Sequence, residues 1–81
     1  MKSFEFDIAI LGAGSFGTAV AVHIARQNHK IVLWGRDQNQ TSQMASTREN
    51  SIYLPNIQLP NNLSLESSLD KAVTKSKYII I

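Results

Sequence analysis

Gly12-Ala13-Gly14-Ser15-Phe16-Gly17 leaves this chain the least conformational freedom, because its G-x-G-x-x-G spacing falls between two stretches of different periodicity. Before it, Phe6-Asp7-Ile8-Ala9-Ile10-Leu11 is short, apolar and β-branched in part, and it stops at Gly12. That pattern reads as a buried strand of a parallel sheet covered on both faces. After it, Phe16, Ala19, Val20, His23 and Ile24 recur at i, i+3, i+4, i+7 and i+8, which predicts a helix from Ser15 to Gln27 with that face packed. Ala19, Ala21 and Ala25 allow close packing, and Asn28 is placed to end the helix in the left-handed conformation. In such a strand-turn-helix, Gly12 permits the tight turn. Gly14 lets a pyrophosphate approach the backbone without a Cβ in the way, and Gly17 lets the helix lie close to the strand. The free amides at the helix start carry roughly half a positive charge toward the phosphates. Ser15 either adds a hydroxyl to that contact or caps the helix. A merely tight turn is the bland alternative, and the flanking strand and helix argue against it.

Further along, Ile31-Val32-Leu33-Trp34 is a second apolar strand ended by Gly35. Asp37 with Gln40 resembles a capping box, opening a helix from Gln38 to about Glu49 whose apolar side chains are only Met44 and Ala45. Two prolines and four asparagines between Asn50 and Asn62 mark an irregular loop, with Tyr53, Leu54, Ile57 and Leu59 expected to pin it to the core. Leu63 to Leu65 reads as a short third strand. Ser67 with Asp70 opens a last helix with Leu69, Ala72 and Val73 on its buried face, and Tyr78 to Ile81 is a fourth strand. Strands alternating with helices imply right-handed crossovers and a parallel sheet. The fold class is therefore α/β, a Rossmann-like doubly wound sheet of which residues 1–81 supply the first half, βαβαβαβ.

Composition narrows the classes of function. Eighty-one residues make at most one folding unit, burying only about 60% of its unfolded surface. With no cysteine and two histidines, neither disulfides nor a structural zinc is expected to staple it. Eight Lys and Arg lie scattered against six acids, so the net charge of +2 forms no basic stripe and nucleic acid is not an expected partner. Lys71, Lys75 and Lys77 read as a solvated helix end. The stretch Met1 to Asp7 lacks the pattern of a signal peptide, and no run approaches the ~18 apolar residues of a membrane span.

The tip of the second strand bears on cofactor choice. NAD sites place an acid there for the ribose 2′-hydroxyl. Asp37 lies 20 residues beyond Gly17, but the strand ends at Trp34, so Gly35 holds the tip and Asp37 reads as a helix N-cap. Arg36 beside it is suited to a 2′-phosphate, so NADPH is expected to bind at least as well as NADH.

GAGSFGTA, then LWGRD, then Asn50-Ser51-Ile52-Tyr53-Leu54-Pro55 and Leu59-Pro60-Asn61-Asn62 together resemble the amino-terminal region of bacterial NAD(P)-dependent glycerol-3-phosphate dehydrogenase, from Ile8 onward. The resemblance implies hydride transfer between dihydroxyacetone phosphate and sn-glycerol 3-phosphate, in cytoplasmic glycerophospholipid synthesis, by a family in which homodimers are common. It implies cofactor contacts at Ser15, Phe16 and Arg36, with Phe16 standing where the family often has Trp. It also implies that proton donor and substrate-phosphate site lie beyond the fourth strand, so that residues 1–81 alone are expected to be inactive and hold no catalytic residue.

Other residues are read as structural: His23 as a buried or boundary side chain, His29 as exposed, Trp34 as core, and Tyr53 as a loop anchor with the border of an adenine pocket as its alternative. Two functional readings remain open. One is the cofactor-binding portion of the dehydrogenase, and the other is a stand-alone dinucleotide module without catalysis. The reading frame after Ile81 separates them.

Overall fold

Each apolar run bounded by glycine or a turn becomes a strand. The computed structural model describes residues 3–81; Met1 and Lys2, part of the amino-terminal stretch read above, lie outside the described residues. The strands are β1 (Phe6–Leu11), β2 (Ile31–Trp34), β3 (Leu63–Glu66) and β4 (Ser76–Ile80), and the helices are α1 (Ser15–Ala25), α2 (Gln38–Thr47) and α3 (Leu69–Thr74). All pairings are parallel and the sheet order is β3-β2-β1-β4. β1 is therefore central and its carboxyl end, Leu11 opposite Trp34, opens onto the glycine turn. This is the α/β, doubly wound half fold expected, in the order βαβαβαβ.

Two apolar clusters cover the two faces of the sheet, as an all-parallel sheet requires. On one, Ile10, Ala21, Val22, Ala25, Ile31, Leu33, Met44, Leu59 and Leu63 pack together; on the other, Ala9, Val32 and Ala72 meet Phe6, Leu11 and Trp34. The indole N–H of Trp34 donates to the Ser67 carbonyl at 3.1 Å, so this side chain is half-buried with its polar edge satisfied.

Several expectations are corrected. α1 turns a partly different face inward: Val20 and Ile24 pack against the larger cluster as expected, but the buried positions are Thr18, Ala21, Val22 and Ala25, while Phe16, Ala19 and His23 are exposed. The glycine turn brings the helix so close to the sheet that its fully buried positions hold nothing larger than valine, with Val20 and Ile24 packing at the margin, and that steric demand modifies the apolar periodicity. α1 also stops at Ala25, though Asn28 does adopt the left-handed conformation, at φ 68°. α3 is capped by Ser68, not Ser67: Ser68 has the extended backbone of an N-cap and its hydroxyl accepts from Lys71 N. Leu69 is exposed rather than buried. β4 begins at Ser76, two residues before the apolar run, because main-chain pairing with β1 starts at Phe6 opposite Ser76.

The 50–62 segment is tied down from several directions. Leu59 is buried, and Leu54 and Ile57 pack against the larger cluster. Arg48 ends α2 with a left-handed backbone, φ 58°, and its guanidinium donates to the Pro60 and Leu63 carbonyls. Asn62 Nδ2 donates to Ala25 and His29 carbonyls at 2.7 and 2.8 Å. Among the described residues no helix is long and apolar enough to cross a membrane.

Candidate functional site at the glycine turn

Gly12 carries φ +128°, a backbone region that L side chains rarely adopt, and its N–H donates to the Trp34 carbonyl at 2.9 Å. The turn is thereby locked to the carboxyl end of β2. Gly14 is the N-cap of α1 and contributes no side-chain cap, so the amides at the start of the helix face outward without a side-chain acceptor from that residue. A Cβ built on Gly14 would meet nothing within 4 Å, whereas one on Gly17 would run into the Gly12 carbonyl. Gly14 thus faces open space and Gly17 faces backbone. Ser15 is the first helical residue rather than the cap, and it is exposed. Its capping alternative is set aside, and its hydroxyl is left free to meet a ligand.

Two clefts meet at this turn. The first, of about 460 Å³, is bounded by Gly12, Gly14, Ser15, Phe16 and Gly17 on one side and by Leu11, Ile80 and Ile81 on the other. Its walls are largely apolar. The second, of about 560 Å³, runs from Gly12 and Gly14 over Gly35 to Arg36, Asp37 and Gln40. Between them the two clefts bring together Gly12, Gly14, Ser15, Phe16, Gly17 and Arg36, the six residues singled out from the sequence. Phe16 is 81% exposed, so its ring is a wall of the first cleft and not a core residue.

Asp37 is engaged elsewhere. Its Oδ1 accepts from Asn39 N at 2.9 Å and Gln40 N at 3.3 Å, so it caps α2 as expected. The reciprocal half of the capping box does not form: Gln40 Nε2 donates instead to the Ala13 carbonyl at 3.3 Å. Arg36 is exposed beside it, in the wall of the second cleft.

Tyr53 overturns its expected role as a loop anchor. It is 50% exposed and lines both clefts, because the loop's anchoring is done by Leu54, Ile57 and Leu59 on either side of Pro55. Asn50, read from the sequence only as the start of the irregular loop and of a family-like segment, also belongs to the site. It is buried, donates through Nδ2 to the Ala13 carbonyl at 3.0 Å and to Thr18 Oγ1 at 2.8 Å, and accepts at Oδ1 from Tyr53 N at 3.3 Å. No local pattern announces the two donated bonds, since their partners lie 37 and 32 residues away; only the bond from Tyr53 N is local. Among the described residues no group of three or more His, Cys, Asp or Glu could hold a metal ion.

Comparison with known proteins gives this geometry its setting. The family model for the NAD-dependent glycerol-3-phosphate dehydrogenase N-terminus matches residues 7–81. The NAD(P)+ glycerol-3-phosphate dehydrogenase of Colwellia psychrerythraea is 49% identical over 79 residues, covering 98% of this chain and 24% of the relative. That of Bartonella tribocorum is 46% identical over 74 residues, covering 91% of this chain and 22% of the relative. The crystal structure of glycerol-3-phosphate dehydrogenase from Coxiella burnetii superposes with a TM-score of 0.86 at 37% identity, over 94% of this chain and 23% of that one. The Dunaliella salina structure, at 19% identity and a TM-score of 0.79, shares the fold. The chain spans about a quarter of the length of these bacterial relatives. With the strand order, the glycine turn and this match over nearly its whole length, the chain belongs to the family of the NAD-dependent glycerol-3-phosphate dehydrogenase N-terminus.

Proposed function

We propose that residues 1–81 are the amino-terminal portion of the dinucleotide-binding domain of a glycerol-3-phosphate dehydrogenase, which interconverts dihydroxyacetone phosphate and sn-glycerol 3-phosphate for glycerophospholipid synthesis in the cytoplasm. The observation that carries the reading is the pair of clefts joined at Gly12 and Gly14 across the start of α1. A dinucleotide has the matching form, two nucleoside halves joined by a pyrophosphate. The residues fit it: Gly14 leaves open the space that a Cβ would fill, and outward-facing amides lie at that point. Gly12, Gly14, Ser15 and Gly17 form the pyrophosphate cradle, Phe16 supplies an aromatic wall, and Arg36 faces the adenosine half.

The choice between NADH and NADPH turns on charge at Arg36. Asp37 has one carboxylate oxygen, Oδ1, turned to the amides of α2, and the Arg36 guanidinium beside it in the wall of the second cleft is the group that meets the ribose. NADPH is bound at least as well as NADH. When bound, the nicotinamide supplies the hydride. The chain's own residues bind and orient the cofactor; proton donation and recognition of the substrate phosphate belong to other parts of the intact enzyme, which functions as a homodimer. Residues 1–81 alone carry no dehydrogenase activity.

The test is titration of the intact protein with NADPH and NADH. Equal or tighter binding of NADPH, weakened by Arg36→Ala, is expected. Strong NADH preference unchanged by Arg36→Ala would overturn the assignment of Arg36, and oxidation of NADPH by residues 1–81 with dihydroxyacetone phosphate would overturn the division of labour.

A further inference from the structure

Two carboxamides converge on the carbonyl oxygen of Ala13: Asn50 Nδ2 at 3.0 Å and Gln40 Nε2 at 3.3 Å. The peptide bonds of the described residues are all trans. In a trans peptide the carbonyl and the next residue's N–H point to opposite sides of the same rigid plane. Fixing the Ala13 carbonyl toward Asn50 therefore aims the Gly14 N–H away from Asn50 and out of the core. Gly14 lies in the wall of both clefts, with open space on the side where a Cβ would stand. Gly14, on the carboxyl side of this peptide, imposes little steric preference of its own at φ, so the two carboxamides supply a restraint that a side chain at 14 would otherwise share.

The rest of the Asn50 side chain is fully engaged. Its other Nδ2 hydrogen goes to Thr18 Oγ1 inside α1, and its Oδ1 holds the main-chain N–H of Tyr53, which with Gly12 and Gly14 lines both clefts. The residue is 1% exposed, so these bonds are shielded from water and none is dispensable. We propose that Asn50 is a positioning residue of the dinucleotide site: its carboxamide clamps the Ala13–Gly14 peptide so that the Gly14 N–H meets the pyrophosphate, and it sets the Tyr53 segment as a common wall of the clefts. This role, which rests on the dinucleotide-binding reading above, needs two donors and one acceptor on a single planar group. Aspartate has the same shape but offers no donor to the Ala13 carbonyl and sets a carboxylate against it.

In the intact protein, Asn50→Asp should lower the melting midpoint, because it buries a carboxylate with no donor for the Ala13 carbonyl, and in the protein that remains folded by circular dichroism it should weaken NADPH by about tenfold or more, the scale of one hydrogen bond to a charged group. A second readout needs no variant. Because a hydrogen bond to one end of a peptide polarises the other, inorganic pyrophosphate bound at the Gly14 N–H should shift the Asn50 side-chain amide resonances of selectively labelled wild-type protein, saturably and together with the Gly14 amide. An asparagine whose bond to the Ala13 carbonyl is not coupled to the ligand would not respond. A folded Asn50→Asp protein that binds NADPH within twofold of wild type overturns the role. If that variant does not fold, a Gly14 amide that moves with pyrophosphate while the Asn50 amide stays still overturns it equally. Wild-type protein that binds neither NADPH nor NADH brings down the dinucleotide reading itself, whereas wild-type binding that survives Asn50→Asp brings down only the positioning role.

Discussion

Gly17 lies directly against the carbonyl oxygen of Gly12, leaving no room for a single methyl group between the first turn of α1 and the end of β1. Gly14, three residues earlier, has open space at the same position. The two substitutions to alanine therefore separate folding from binding. Gly17→Ala must push backbone against backbone and is expected to destabilise the intact protein by about 1–3 kcal/mol or more, seen as a lower midpoint in denaturant. Gly14→Ala should change stability by no more than about 1 kcal/mol, the poorer N-cap being offset by a φ of −78° that alanine adopts readily and by the lower entropy of the unfolded chain, yet weaken dinucleotide binding at least about tenfold in a fluorescence titration. Equal loss of stability in both would contradict the division.

Arg36→Ala should cost about ten- to a hundredfold in NADPH affinity, the equivalent of one charge-assisted hydrogen bond of roughly 1.5–3 kcal/mol, and leave NADH nearly unchanged. Stability should be unaffected, because the side chain is exposed. Parallel titrations with the two cofactors decide it.

Arg48→Gly sets two effects against each other. Glycine would relieve the left-handed backbone at φ 58°, worth roughly 1–2 kcal/mol. It would also remove a guanidinium that donates to both the Pro60 and Leu63 carbonyls from a half-buried position, at roughly 1.5–3 kcal/mol for each such bond. The second effect is larger. Net destabilisation of about 1–5 kcal/mol is expected in thermal or denaturant unfolding, and an unchanged or raised midpoint would show the carbonyl contacts to be of little weight.

Asp37→Ala removes the acceptor for two amides at the start of α2 and should cost about 1 kcal/mol of stability. If the carboxylate serves only as a cap, the ratio of NADH to NADPH affinity stays the same. A selective loss of NADH binding would instead place Asp37 on the ribose.

The strands β1 and β2 were legible because each is an apolar run cut off by a glycine, and the turn was legible because its glycines answer to local sterics. The inner face of α1 was not, since the sequence ranks residues by hydrophobicity while the sheet selects by size, placing Thr18 inside and Phe16 outside. Choosing Ser67 over Ser68 as the cap of α3 failed for a narrower reason: adjacent serines are chemically equal until the backbone picks one. The roles of Tyr53 and Asn50 depend on where a 13-residue irregular loop lies over the glycine turn, and no period or local spacing records that.

The small inner face of α1 links two properties that most domains keep apart. Any enlargement at Thr18, Ala21 or Ala25 must lift the helix, and with it the turn that carries Gly12 and Gly14. Sequence drift on this face is thus screened at once for folding and for ligand affinity, whereas Ala19 and His23, facing solvent on the same helix, are free to vary. Over long divergence, α1 should become a helix with a frozen inner side and an outer side that varies beyond Ser15 and Phe16.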